Sequence, residues 1–192
     1  MSKLKSAKKG LEKVIHSTPL LVWICAGSAQ PGPPLGPQLG QRGINIAQFC
    51  KDFNEKTQNI KPGVPLPCTI FVKADRSYDI QIRVPPISYF LRQATGFDRL
   101  ASNPREEISG IISLKHVYEI AKVKSNDPLY DCVPLEKICK DVIDFANRAG
   151  VKVVERIDEE KYLNFIEQRR EEVARQLKEL EDIKQSKLLR TA

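Results

Sequence analysis

The sequence predicts an α+β protein of two small domains, a strand-helix-hairpin domain and a mainly three-helix domain, followed by a charged helical tail. Three observations predict it. Residues 78–84 alternate, with Tyr78, Ile80, Ile82 and Val84 against Asp79, Gln81 and Arg83, the period of a strand with one covered face. Pro85-Pro86 then interrupts the chain, because proline fixes φ, lacks an N–H and restricts the residue before it. Beyond that point the apolar residues recur at helical spacing.

Each element follows from its own pattern. Leu20–Ala26 is an apolar run too short to span a bilayer and suited to a strand. The Pro/Gly-dense run from Pro31 to Gly43 has little conformational freedom, and a helix is expected from about Asn45 to Lys56 with Ile46, Phe49 and Phe53 inward. Pro62-Gly63-Val64-Pro65 breaks the chain. Residues 68–73 and 78–84, joined at Asp75-Arg76-Ser77, read as a hairpin with a half-exposed sheet.

In the second domain, Ile87, Phe90, Leu91 and Ala94 face inward on a helix that ends at Gly96. A polar loop, Asp98 to Glu107, follows. Ser113 caps a helix that turns Leu114, Val117, Ile120 and Ala121 inward. Pro134 opens another, with Leu135, Ile138, Val142 and Phe145 inward and Gly150 closing it. Val151–Val154 suits a short strand. From Asp158, charges crowd a long helical pattern with few apolar positions, which reads as a solvated helix that packs weakly or docks a neighbour. The expected segments are a basic extension over residues 1–19, domains over 20–84 and 87–154, a linker at 85–86, and the tail over 155–192.

Charge and cysteine usage narrow the function. The 192 residues have a net charge of +7, so an anionic partner fits. Residues 1–20 hold five lysines against one glutamate, the composition of an organellar transit segment or of an RNA-contacting arm. The five cysteines are scattered, with no C-x-x-C pair, and read as buried free thiols of a reducing compartment. With two histidines, no usual zinc spacing forms.

Enzyme templates fail. No phosphate-cradling G-x-x-x-x-G-K-[ST] is present, and Gly36, Gly40 and Gly43 lie among prolines. His116 faces away from its helix's apolar side and the sequence names no nucleophile and orienting acid to work with it, and Glu106-Glu107 are merely adjacent in a loop. No catalytic residue, metal site, cofactor, membrane segment or small-molecule substrate is expected. Basic residues do gather in the second domain: Arg92, Arg99, Arg105, Lys115, Lys122, Lys124, Lys140, Arg148 and Lys152. Such a set suits phosphate contacts that read RNA shape. The alternative is a proline-rich adaptor, since Pro31 to Pro34 and Pro34 to Pro37 have P-x-x-P spacing.

The run Pro31-Gly-Pro-Pro-Leu-Gly-Pro-Gln-Leu-Gly-Gln-Arg-Gly-Ile-Asn-Ile-Ala-Gln-Phe-Cys-Lys-Asp-Phe-Asn54 resembles the N-terminal signature of the large-subunit ribosomal protein eleven family, the stalk-base proteins. Leu66-Pro67, Ala74-Asp75-Arg76-Ser77, Pro85-Pro86 and Ala94-Thr95-Gly96 resemble it too, and the likeness runs from about Leu20 to Val154. Ile87-Ser-Tyr-Phe-Leu91, Leu114-Lys-His-Val-Tyr-Glu-Ile-Ala121, the basic extension and the charged tail look like the mitochondrial branch.

The resemblance implies a structural component of the mitochondrial large ribosomal subunit, in the matrix, that binds rRNA of the GTPase-associated centre. It implies rRNA contacts by Pro86, Ser88, Arg92, Lys115, Lys124, Asn147, Arg148 and Gly150. Pro33, Pro34, Pro37 and Gln38 would face translational GTPases and thiopeptide antibiotics, and neighbouring stalk proteins would be further partners. One stretch departs from the family: where a small pair is usual, this chain has Asp144-Phe145, which implies a modified rRNA contact with Phe145 turned inward.

Overall fold

The computed structural model describes residues 18–73 and 75–191. The chain folds as two compact units divided between Pro86 and Ile87. The basic extension lies outside the described residues except for Thr18 and Pro19, as does Ala74.

The first unit is a three-stranded antiparallel sheet in the order β1 (Leu20–Cys25), β2 (Pro65–Val72) and β3 (Tyr78–Ile82), with α1 (Leu35–Gly40) and α2 (Ile46–Lys56) between β1 and β2. Val22 and Ile24 on β1 and Leu66, Cys68 and Ile70 on β2 alternate inward and are buried, as are Phe49 and Phe53 of α2, and the Phe49 ring packs on Tyr78 of β3. The opposite face exposes Leu21, Trp23 and Phe71, which is the half-exposed sheet expected. Asn45 caps α2 by accepting the Gln48 N–H at 3.4 Å.

β2 begins earlier than expected. Pro65 and Pro67 belong to it, although prolines are usually kept out of a central strand. The ladder explains this. The Arg83 N–H donates to the Pro67 carbonyl at 2.9 Å, and Pro67 has no N–H to return, so pairing with β3 stops there while β1 continues alongside. A second difference lies in the Pro/Gly run, where Leu35–Gly40 is helical. Pro34 occupies its N-cap and Pro37 its first turn, where a missing N–H costs nothing. Pro34 to Pro37 is therefore not an extended polyproline ligand, which removes the geometry an aromatic-groove adaptor needs.

The second unit contains α3 (Ile87–Thr95), β4 (Gly110–Ser113), α4 (Leu114–Lys124), α5 (Leu135–Arg148), β5 (Val151–Val154) and α6 (Glu159–Thr191). Its core is Leu91, Ile112, Val117, Ile120, Val142, Ala146 and Val151, with Phe145 partly buried against them. The alternation at 151–154 finds a partner in β4, which the sequence reading left unassigned. The pair is parallel, Gly110 opposite Val151, and α4 and α5 form the crossover that parallel strands require.

Other expectations change in detail. Leu114 is exposed, because the first position after the Ser113 cap points out of the helix bundle. Cys25 and Cys132 are exposed, so only Cys50 and Cys68 behave as buried thiols, and burial pushes Cys68 up to about 12. Cys25 alternates outward with Trp23, and Cys132 has a φ of 64° in the turn before α5.

Candidate nucleic-acid interface

α5 is amphipathic, with Ile138, Val142 and Ala146 buried. That burial turns Glu136, Lys137, Lys140, Asp144, Asn147 and Arg148 into an exposed outer stripe. Of its three cations, Lys140 is 2.7 Å from Glu136 in an exposed pair that water screens. Arg148 donates from Nε to the Asp144 carbonyl at 3.2 Å, and its guanidinium lies 5.8 Å from the Phe145 ring centroid. The departure at Asp144-Phe145 thus becomes local structure: Phe145 is half-turned to the core, and its outer edge carries Arg148.

The other expected contacts sit on separate elements. Ser88 and Arg92 are joined on α3, where Arg92 Nε donates to the Ser88 carbonyl at 3.4 Å. Lys115 is exposed in the first turn of α4, as are Asn147 and Arg148 at the end of α5. Pro86 is half-buried beside the start of α3. In the first unit, Pro33, Pro34, Pro37 and Gln38 are all exposed. They are held there because Leu35 and Leu39 of α1 are buried, and because Asn54 brackets the entry to the run. The Ala29 N–H donates to Asn54 Oδ1 at 3.1 Å, and Asn54 Nδ2 donates to the Ala29 carbonyl at 3.3 Å.

Two expected contacts do not belong to an RNA surface. Lys124 is only 5% exposed and its ammonium lies 2.9 Å from Asp127, which is buried too. Its charge is spent inside the protein. Gly150 is buried: it has a φ of +73°, and a Cβ there would sit 2.5 Å from the Ala101 Cβ and 2.9 Å from the Glu107 carbonyl oxygen. Its smallness serves the packing of the 101–107 loop rather than an approach to phosphate.

His116 is exposed, yet it has a structural role. The Ser113 N–H donates to His116 Nδ1 at 3.2 Å, closing the reciprocal cap at the start of α4. Among the described residues no group of His, Cys, Asp or Glu is placed to hold a metal ion, and no helix is long and apolar enough to cross a membrane.

The sequence reading missed one constellation. Glu107, at the end of the loop, accepts from Arg169 and from Gln176 Nε2 at 2.8 Å, both on α6, and from the Ser102 N–H at 2.8 Å. Burial on its own would raise the Glu107 pKa. The hydrogen bonds from Arg169, Gln176 and Ser102, with the guanidinium charge, outweigh it and hold the carboxyl at about 2. The available signal was Arg169 sitting among Phe165, Ile166 and Val173 in the inward stripe of the tail.

The comparisons with known proteins fall on the same two units. The family model described as ribosomal protein L11, N-terminal domain, matches residues 21–78, and that described as ribosomal protein L11, RNA binding domain, matches residues 83–153. A Drosophila melanogaster protein named large ribosomal subunit protein uL11m is 50% identical over 189 residues, covering 98% of this chain and 96% of its own length. Proteins of the same name from Caenorhabditis elegans and Schizosaccharomyces pombe are 46% and 42% identical, over 96% and 72% of this chain and 94% and 96% of their own lengths. The chain belongs to the ribosomal protein L11 family, in its mitochondrial branch, a family of structural ribosomal proteins with an RNA-binding domain and no enzymatic role.

Proposed function

We propose that the chain binds rRNA of the GTPase-associated centre in the mitochondrial large ribosomal subunit and assists the action of translational GTPases there. The observation that supports this most is the match of residues 83–153 to an RNA-binding domain whose helices expose Lys115, Lys140, Asn147 and Arg148. Backbone phosphates are met by exposed cations, and a folded RNA is recognised by shape. In this reading residues 87–154 hold the rRNA through Ser88, Arg92, Lys115, Asn147 and Arg148, joined by Pro86 of the linker. The 20–84 domain turns Pro33, Pro34, Pro37 and Gln38 toward rRNA and factors. Residues 85–86 link the domains, 155–192 form a charged helical extension, residues 1–19 direct import to the matrix, and neighbouring stalk proteins are further partners.

Exposed proline rings with fixed φ give apolar contact at small ordering cost, which suits a surface touched repeatedly by transient partners. The test is binding of the purified chain to its stalk-base rRNA fragment across a salt series, beside an unrelated folded RNA. Preference for the stalk-base fragment with several ion equivalents released supports the reading. Equal, weak binding to both RNAs refutes it.

A further inference from the structure

α6 lies beyond the segment matched as the RNA-binding domain, yet two of its side chains bond the Glu107 carboxylate of that unit. The Glu107 carboxylate works in two directions. One oxygen, Oε2, accepts from the backbone N–H groups of Ser102 and Asn103 at 2.8 and 3.5 Å, so it closes the 102–107 loop upon itself. The other, Oε1, accepts from Arg169 and Gln176, two residues seven apart on the same face of α6. Arg169 is 3% exposed, so this helix keeps a guanidinium out of water in order to reach that one carboxylate.

The start of the loop faces the same helix. Thr95, Gly96, Phe97, Asp98 and Arg99 face Tyr162, Ile166, Val173 and Leu177 across a groove. The loop is also stitched to the end of α5. The Ala101 N–H donates to the Ala149 carbonyl at 3.4 Å and the Ser109 N–H to the Gly150 carbonyl at 2.8 Å, directly beside the exposed Asn147 and Arg148. The loop carries two arginines of its own. Arg99 is tied to Ser102 Oγ at 2.7 Å, and Arg105 is exposed.

We propose that α6 is a brace for RNA binding: Arg169 and Gln176, acting through Glu107, hold the 98–107 loop so that Arg99 and Arg105 stand beside Asn147 and Arg148 as one phosphate-binding surface. The inference rests on the RNA reading above and deepens it. Arg169 and Gln176 are positioning residues and touch no RNA. Their effect is preorganisation, since a loop already in shape loses less freedom when RNA arrives. Arg169 also cancels a carboxylate that would otherwise repel phosphate from the middle of that surface.

The test uses the full chain and the stalk-base rRNA fragment, with hydrogen exchange and affinity measured in parallel. Arg169→Met is expected to raise exchange across 98–107 while α4 and α5 stay protected, and to weaken RNA binding by about tenfold. Replacing Arg99 and Arg105 by Ala should weaken wild-type binding strongly and the Arg169→Met protein much less, because the brace acts through them. Gln176→Ala, which removes one neutral hydrogen bond, is expected to show the same pattern more weakly and serves if Arg169→Met fails to fold. A loosened loop with unchanged affinity overturns the brace alone. Wild-type protein that shows no preference for the fragment overturns the RNA reading and the brace together.

Discussion

Lys124, the last residue of α4, lies with its ammonium 2.9 Å from Asp127, and neither side chain faces solvent. Asp127 also accepts the Leu129 N–H at 3.4 Å, capping the short 3-10 turn of Pro128–Tyr130. The pair thus fixes how the chain leaves α4. Lys124→Met leaves a buried carboxylate without its cation and is expected to cost about 3 kcal/mol or more in urea unfolding, with the salt slope of RNA binding unchanged. A slope reduced by a full ion equivalent would mean that Lys124 meets phosphate after all.

Lys115→Ala and Arg148→Ala should behave in the opposite way. Both side chains are exposed, so each substitution is expected to leave stability within about 0.5 kcal/mol. Each should lower the salt slope by about one and weaken binding to every RNA by a similar factor. Salt titrations of the single and double variants check this.

Glu107 is expected to make the second unit lose stability in acid over a defined window. Its folded pKa, about 2, lies below its ordinary value of 4.5, so the unfolded chain binds a proton first as pH falls. The stability this carboxylate contributes is complete above pH 4.5 and is lost progressively between 4.5 and about 2. The difference in unfolding free energy between wild type and Glu107→Gln should be flat above that window and shrink within it. A difference that is constant down to pH 2 would contradict the pairing.

Gly110 and Gly40 form a contrasting pair. A Cβ on Gly110 would run into the Thr95 side chain, 2.7 Å from its Cβ, and Thr95 is locked by its hydroxyl donating to the Leu91 carbonyl at 2.9 Å. Gly110→Ala is expected to destabilise by about 1–3 kcal/mol through overpacking. At Gly40 nothing lies within 4 Å of the added carbon, so Gly40→Ala should be neutral or stabilise by up to about 0.5–1 kcal/mol, what a helical alanine gains over glycine. Thermal unfolding of both variants is the measurement.

What was legible in the sequence was set by local period. The alternation of Tyr78, Ile80 and Ile82 and the helical spacing of Ile138, Val142 and Ala146 were enough to identify a strand and a helix. β4 was not legible, because Gly110–Ser113 is four residues long and its partner lies across a crossover of two helices. α1 was masked by its own composition: Pro34, Gly36, Pro37 and Gly40 argue against helix everywhere except in a single turn, where the orphan N–H groups make proline harmless.

The site was legible in kind and not in membership. A count of basic residues treats Lys115 and Lys124 alike, and only the fold puts Asp127 against one of them. Gly150 read from sequence as a helix end and, by resemblance, an rRNA contact, whereas in the fold the 101–107 loop occupies the space a side chain there would need. The brace from Arg169 to Glu107 spans 62 residues, a separation no local pattern reports.

The most direct test of the account is hydroxyl-radical footprinting of the full chain on intact large-subunit rRNA, repeated with the Lys115→Ala, Arg148→Ala double variant. The account predicts backbone protection concentrated in the GTPase-associated centre, and its loss in the variant. Protection scattered over the RNA, or concentrated elsewhere, would contradict it.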